Sequence, residues 1–108
     1  MGVNLTTGKS WSELAHAHRY RVSHLAAALG VDPRTLERRF QDQLRVSPEQ
    51  AMEKYRLARA LQLLQQGQLS IKEVSDELGF SVTSTFCRAF KKWLGMTPVG
   101  FRELFVSH

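Results

Sequence analysis

The chain has 108 residues, 43% hydrophobic and 23% charged, with a formal net charge of +5. That length allows one globular domain, or two small subdomains sharing a connector, without disulfide staples. The single cysteine, Cys87, excludes an internal disulfide and fits a reducing, cytoplasmic compartment, no apolar leader-like region opens the chain, and no segment has the length to span a bilayer.

Residues 1–9 read as a disordered arm or the end of a linker. Ser10-Trp11-Ser12-Glu13 is a capping box, in which hydroxyl and carboxylate satisfy first-turn N–H groups. It predicts a helix over about 11–20 with Trp11, Leu14, Ala15 and His18 on one face. Ser23 is the expected cap of a second helix over about 24–29, which Gly30 ends. Asp32-Pro33 caps and starts a third helix reaching about Leu44, since Pro at the first helical position loses no needed donor. Ser47-Pro48-Glu49-Gln50 opens the longest helix, about 48–66, which Gly67 stops. Its expected buried side is Met52, Tyr55, Leu57, Ala58, Leu61 and Leu64. Ser70-Ile71-Lys72-Glu73 is a further capping box, for a helix over about 71–78 closed by Gly79. Ser81 or Val82 begins a sixth helix to about Leu94, and Thr97-Pro98 starts a short last one to about Phe105. No stretch alternates apolar and polar over strand length, so the fold class is all-α.

One pattern occurs twice. Residues 22–52 align with 71–102: Gly30 with Gly79, Phe40 with Phe90, Leu44 with Leu94, and Val46-Ser47-Pro48 with Met96-Thr97-Pro98. The second copy carries one extra residue between its Gly and its Phe. Each copy reads as helix, Gly-containing turn, helix, the layout of a helix-turn-helix. Val22, Leu25, Ala26 and Leu29, with Ile71, Val74, Ser75 and Leu78, form the expected inward faces of the first helices. Leu36 and Phe40, with Phe86 and Phe90, form those of the second helices at i, i+4 spacing. The domain plan is therefore 10–47 as a first helix-turn-helix subdomain, 48–66 as a connector helix, and 67–108 as a second subdomain.

The run Ile71-Lys72-Glu73-Val74-Ser75-Asp76-Glu77-Leu78-Gly79-Phe80-Ser81 is followed by Phe86-Cys87-Arg88-Ala89-Phe90-Lys91-Lys92, then Gly95-Met96-Thr97-Pro98 and Phe101-Arg102. Together these resemble the signature of the AraC/XylS family of bacterial transcription regulators, over about residues 10–105. The resemblance implies a seven-helix domain of two helix-turn-helix units bridged by a long helix. It also implies binding to double-stranded promoter DNA, each second helix entering a major groove. Val82, just before the sixth helix, and Ser75, where Ala is common, depart from the family pattern.

On a helix that reads bases, the reading side chains lie opposite the core. With Leu36 and Phe40 inward, the third helix presents Arg34, Glu37, Arg38 and Gln41. Arg can bind guanine O6 and N7 together and Glu can accept from cytosine N4, although Glu37 can equally serve to orient an Arg. On the sixth helix Thr83, Ser84, Thr85, Cys87 and Arg88 face outward, a softer surface suited to phosphates, methyl groups and water bridges. Lys91, Lys92 and Arg102 lie in a stretch, 80–102, free of Asp and Glu, and with Arg39 and Arg45 they are phosphate candidates. Helix starts near Ser47 and Thr97 are further ones. A connector of roughly 18 residues is about 27 Å long, against about 34–36 Å between successive groove faces. Both readers are thus expected on one face of an asymmetric, non-palindromic site.

Other residues read more plainly. Trp11, Trp93 and the Phe residues are core, Lys54, Arg56 and Arg59 are solvated charges, and Glu73, Asp76 and Glu77 form a solvated face. His16, His18, His24 and His108 show no metal-ligand spacing, and no cofactor is implied. The expectation is a DNA-binding domain of a transcription activator, not an enzyme, with RNA polymerase as a further partner and either an effector or dimerisation domain N-terminal in a longer protein or, as the alternative, a small stand-alone regulator. Two rivals are an all-α protein-docking module and an enzyme using Cys87 as nucleophile.

Overall fold

The computed structural model describes residues 10–106; the arm proposed for residues 1–9 lies outside them. Among these residues are seven helices and no strand: α1 (Trp11–Ala17), α2 (Val22–Leu29), α3 (Pro33–Leu44), α4 (Pro48–Gln66), α5 (Ile71–Glu77), α6 (Thr83–Leu94) and α7 (Pro98–Val106). Most starts follow from local chemistry. Ser10 and Ser70 form complete capping boxes with Glu13 and Glu73. Ser47 N–H donates to Gln50 Oε1 at 3.0 Å while Ser47 Oγ accepts from Gln50 N at 3.2 Å. Asp32 accepts from Thr35 N at 2.7 Å, and Thr97 Oγ1 from Gly100 N at 3.1 Å. Five of the seven helices thus begin on a side-chain cap, each worth about 1 kcal/mol.

The chain divides into two compact units, with the boundary between Arg56 and Leu57 inside α4. In the first unit Trp11, Leu25, Leu36 and Phe40 are buried, and the Trp11 and Phe40 rings meet at 4.5 Å. In the second, Leu64, Val74, Leu78, Phe86 and Phe90 are fully buried. A chain of ring contacts runs through it, from Phe80 to Phe86 at 5.4 Å, Phe86 to Phe90 at 5.9 Å and Phe90 to Phe101 at 5.7 Å.

Five expectations are corrected. The first helix stops at Ala17, three residues early, because Arg19 and Tyr20 take left-handed φ values of 56° and 59°. That turn, closed by Tyr20 N–H to Ala15 O at 2.7 Å, drives the Tyr20 ring inward to 6% exposure. Ser23 is not a cap: α2 begins at Val22, with Arg21 as an N-cap that offers no side-chain bond. Ala58 is exposed, because it lies on the opposite side of α4 from buried Ala60 and Leu63. Ala51 and Met52 are buried near the start of α4, and Ala60, Leu63 and Leu64 nearer its end. Phe105 is 50% exposed, its ring tilted against that of Phe101 at 4.8 Å, one turn beyond the end of the core. Finally, Arg56 and Arg59 are half-buried and not simply solvated. The Arg56 guanidinium lies 5.4 Å from the Tyr20 ring centre, and burial holds its pKa below the ordinary value while Tyr20 opposes that shift.

Two stability predictions follow from these local environments. Ser75 is fully buried and its hydroxyl has no hydrogen-bond partner. Removing an unpaired buried polar group is favourable, so Ser75→Ala should raise unfolding stability by roughly 1 kcal/mol in a denaturant titration; a lowered midpoint would contradict this. The backbone hydrogen bond from Thr35 holds the Asp32 carboxyl below the usual carboxylate range, and that from Ser70 does the same for Glu73. A depressed folded-state pKa contributes stability that is fully present above the unfolded value and lost as pH falls through the folded one. Stability should therefore decline below about pH 4, and Asp32→Asn should flatten part of that decline. A pH profile identical to the unmodified protein would count against the Asp32 cap.

Candidate nucleic-acid interface

The two copies place their second helices identically. α3 and α6 are each 12 residues long and lie 50 positions apart, Pro33 matching Thr83 and Leu44 matching Leu94. The extra residue of the second copy falls in the turn. α3 begins three positions after Gly30, α6 four after Gly79. Both glycines are left-handed, at φ 67° and 82°, a conformation that side chains other than Gly rarely adopt.

The inner face of α3 is fixed by Leu36 and Phe40, both at 0% exposure. Gln43 is held by the Trp11 indole N–H at 2.9 Å. This rotation leaves Arg34, Glu37, Arg38 and Gln41 exposed, as the spacing requires. Glu37 forms no ion pair with Arg34 or Arg38, so all three side chains remain open to a ligand. Arg39 is half-buried on the flank. Arg45, the exposed C-cap of α3, holds a left-handed φ of 61° where the second copy has Gly95.

α6 is rotated by Phe86 and Phe90, again at 0% exposure. Ser84, Thr85, Arg88, Lys91 and Lys92 are exposed, while Thr83 and Cys87 are half-buried at the edge of that stripe. From Phe80 to Arg102 no acidic residue interrupts the surface. Each unit therefore offers one exposed helix face opposite its aromatic plug, with charged forks on α3 and hydroxyls flanked by cations on α6.

A family model described as a helix-turn-helix domain matches residues 25–104. The chain belongs to the AraC/XylS-type helix-turn-helix family. It is 40% identical over 82 residues to the HTH-type transcriptional regulator GbdR of Pseudomonas aeruginosa, covering 76% of this chain and 22% of that protein. It is 34% identical over 85 residues to the xylose operon regulatory protein of Haemophilus influenzae, covering 79% and 22% respectively. The chain thus spans about a fifth of the length of these curated relatives. Among solved structures it resembles an AraC-type transcriptional regulator from Chromobacterium violaceum, with TM-score 0.71, 31% identity and 87% of each chain covered. It also resembles the DNA-binding domain of the global transcriptional factor AdpA, solved with a target DNA, with TM-score 0.74, 27% identity, and 89% of this chain and 92% of that one covered.

Within this AraC/XylS-type domain some proposed phosphate contacts have other work. Arg102 is half-buried and its Nε donates to the Leu64 carbonyl at 3.5 Å, near the C-terminal end of α4, where a cation also meets the negative helix pole. Arg102 therefore has a bond within the fold, unlike exposed Lys91 and Lys92. At the α4 start the Ser47 N–H is already bound to Gln50, so Ser47 itself offers no free backbone donor. Thr97 Oγ1 accepts from Gly100 N–H, which leaves the other backbone donors of that helix start untouched. One cationic position went unread: Arg21, the exposed N-cap of α2, beside exposed Ser23 and His24. The signal lay in the repeat itself, which pairs Val22 with Ile71 and so places Arg21 where the second copy has its Ser70 cap.

Among the described residues no group of three or more His, Cys, Asp or Glu side chains is arranged to hold a metal ion, and no helix is long and apolar enough to cross a membrane.

The two kinds of cation separate experimentally. Arg102→Ala should lower unfolding stability by about 1–3 kcal/mol through the lost half-buried hydrogen bond. Lys92→Ala should stay within about 0.5 kcal/mol of the unmodified protein. Equal stability of the two variants would remove the structural assignment of Arg102.

Proposed function

We propose that this domain binds double-stranded promoter DNA sequence-specifically for transcription regulation, α3 and α6 entering successive major grooves of an asymmetric site. The observation that carries this reading is the pair of equivalent exposed helix faces, Arg34-Glu37-Arg38 and Ser84-Thr85-Arg88, each opposite a fully buried Phe. A net charge of +5 and an acid-free 80–102 stretch support attraction to phosphates. The family membership and the likeness to a domain solved on target DNA support it further.

In this proposal Arg34, Glu37 and Arg38 read base edges in one groove, and Thr83, Ser84, Thr85, Cys87 and Arg88 line the reader in the other. Arg39, Arg45, Lys91, Lys92 and Arg102 contact phosphates, joined by backbone donors beside Ser47 and Thr97. The relatives are several times longer than this chain, which supports a module acting with an N-terminal effector or dimerisation domain in a longer protein. We assign it to activation through RNA polymerase in the bacterial cytoplasm, at the nucleoid, a role for a reporter assay to decide. No catalytic step is assigned to any residue.

The test is a site selected from random duplexes, then titrated in rising salt with two variants. Binding should weaken with a log–log slope of about −0.9 per phosphate neutralised. Arg38→Ala should lose about 1–3 kcal/mol and relax preference at one base position. Lys92→Ala should weaken all sequences nearly equally and make the salt slope shallower by about one. Sequence-blind losses of equal size from both variants would end this division of labour, and salt-independent binding would end the DNA reading itself.

A further inference from the structure

Val82 is a poor residue for its place. It is the N-cap of α6, in an extended conformation at φ −130° and ψ 128°, and it makes no side-chain cap bond. Valine has no oxygen to offer the first-turn N–H groups and ranks among the weakest N-caps. Its side chain is 54% exposed, so burial does not compensate for the missing cap. The backbone there is nonetheless well held, with Val82 O accepting from Thr85 N at 3.1 Å and from Phe86 N at 3.4 Å.

The same position in the other copy has the opposite chemistry. There the cap is Asp32, an exposed carboxylate bonded to Thr35 N at 2.7 Å. An acid at the mouth of α3 cannot pack on an apolar base edge. Around Val82 the exposed neighbours are Ser81, Ser84 and Thr85, and no acidic residue occurs until Glu103. The N-terminal end of a recognition helix is the part that approaches base edges, and the one apolar feature there is the thymine C5-methyl group. An isolated exposed valine is unremarkable on a protein surface. One that displaces a cap at the tip of a proposed reading helix is not explained by the fold.

We propose that Val82 is a specificity-determining residue, its isopropyl group packing against one thymine methyl at the α6 half of the site. This rests on the DNA reading above and refines it. The half-site read by α6 then depends on thymine at one position, and the half-site read by α3 does not.

The experiment replaces each thymine of the selected site with deoxyuridine, one at a time. That change removes a methyl group and leaves every hydrogen-bonding group in place. The unmodified protein should lose about fourfold in affinity at a single thymine, the value of one apolar methyl contact. In Val82→Ser the same thymine and its uracil counterpart should bind equally well, while the salt slope is unchanged. Val82→Ser should also melt a few degrees higher, since serine supplies the missing cap, and this shows that the variant is folded. Indifference of the unmodified protein to every thymine of the α6 half-site would overturn the proposal. So would a Val82→Ser variant that keeps the full thymine preference. Absence of any sequence-selective duplex binding would instead sink the underlying DNA reading, so the two failures are distinct.

Discussion

Phe40 and Phe90 set the terms for the rest of the molecule. Each is fully buried in the middle of a 12-residue helix, with Leu36 or Phe86 one turn earlier and equally buried. Removing such a side chain costs about 3–5 kcal/mol, a large share of what a small unit possesses. A helix anchored at i and i+4 has no rotational freedom left. The face opposite the anchor is thereby chosen, and with it Arg34, Glu37 and Arg38 on α3 and Ser84, Thr85 and Arg88 on α6. Reading chemistry can then vary on the outer stripe without disturbing the core, because no outer residue takes part in the ring contacts that hold each unit.

The two copies share this frame and diverge in everything exposed. α3 carries guanidinium forks and a carboxylate, α6 hydroxyls, one Arg and two Lys. Their caps differ as well, an ionised Asp32 against an apolar Val82. A duplicated helix-turn-helix therefore does not imply a duplicated target. Two unlike readers joined through one continuous helix suit a site whose halves differ in sequence, and such a site also fixes the direction in which the protein lies on DNA.

Legibility in the sequence followed the range of the interaction concerned. Caps are local, and Ser10, Asp32, Ser47 and Ser70 were readable because acceptor and donor lie within three residues. The repeat exposed the inward faces, since Leu25, Leu36, Phe40, Val74, Phe86 and Phe90 recur at helical spacing. What escaped depended on tertiary placement. Ala58 is apolar and next to half-buried Leu57, but it lies opposite Ala60 and Leu63, the positions that α4 buries there. Arg102 sits in an acid-free run that reads as phosphate-binding, yet the Leu64 carbonyl it serves is 38 residues away in sequence. Phe105 has an apolar partner in Phe101 but no further core to enter.

The residues that break local rules form a pattern of their own. Arg19 and Tyr20 adopt a left-handed turn, and the burial of the Tyr20 ring against Arg56 accounts for it. Arg45 adopts the same strained conformation while exposed, at the end of α3, where Gly95 shows that glycine serves the same turn without strain. Arg21 and Val82 occupy N-cap positions that they cannot cap. All three of these uncompensated residues sit at helix ends within the helix-turn-helix units, and all three are exposed. A fold optimised for stability alone would hold Gly at 45 and Ser, Thr, Asn or Asp at 21 and 82. Departures of this kind are expected where a surface answers to a ligand rather than to the core. Arg21, Arg45 and Val82 thus depart from local rules at the ends of the helices whose outer stripes carry the proposed readers, and stability of the fold does not account for them.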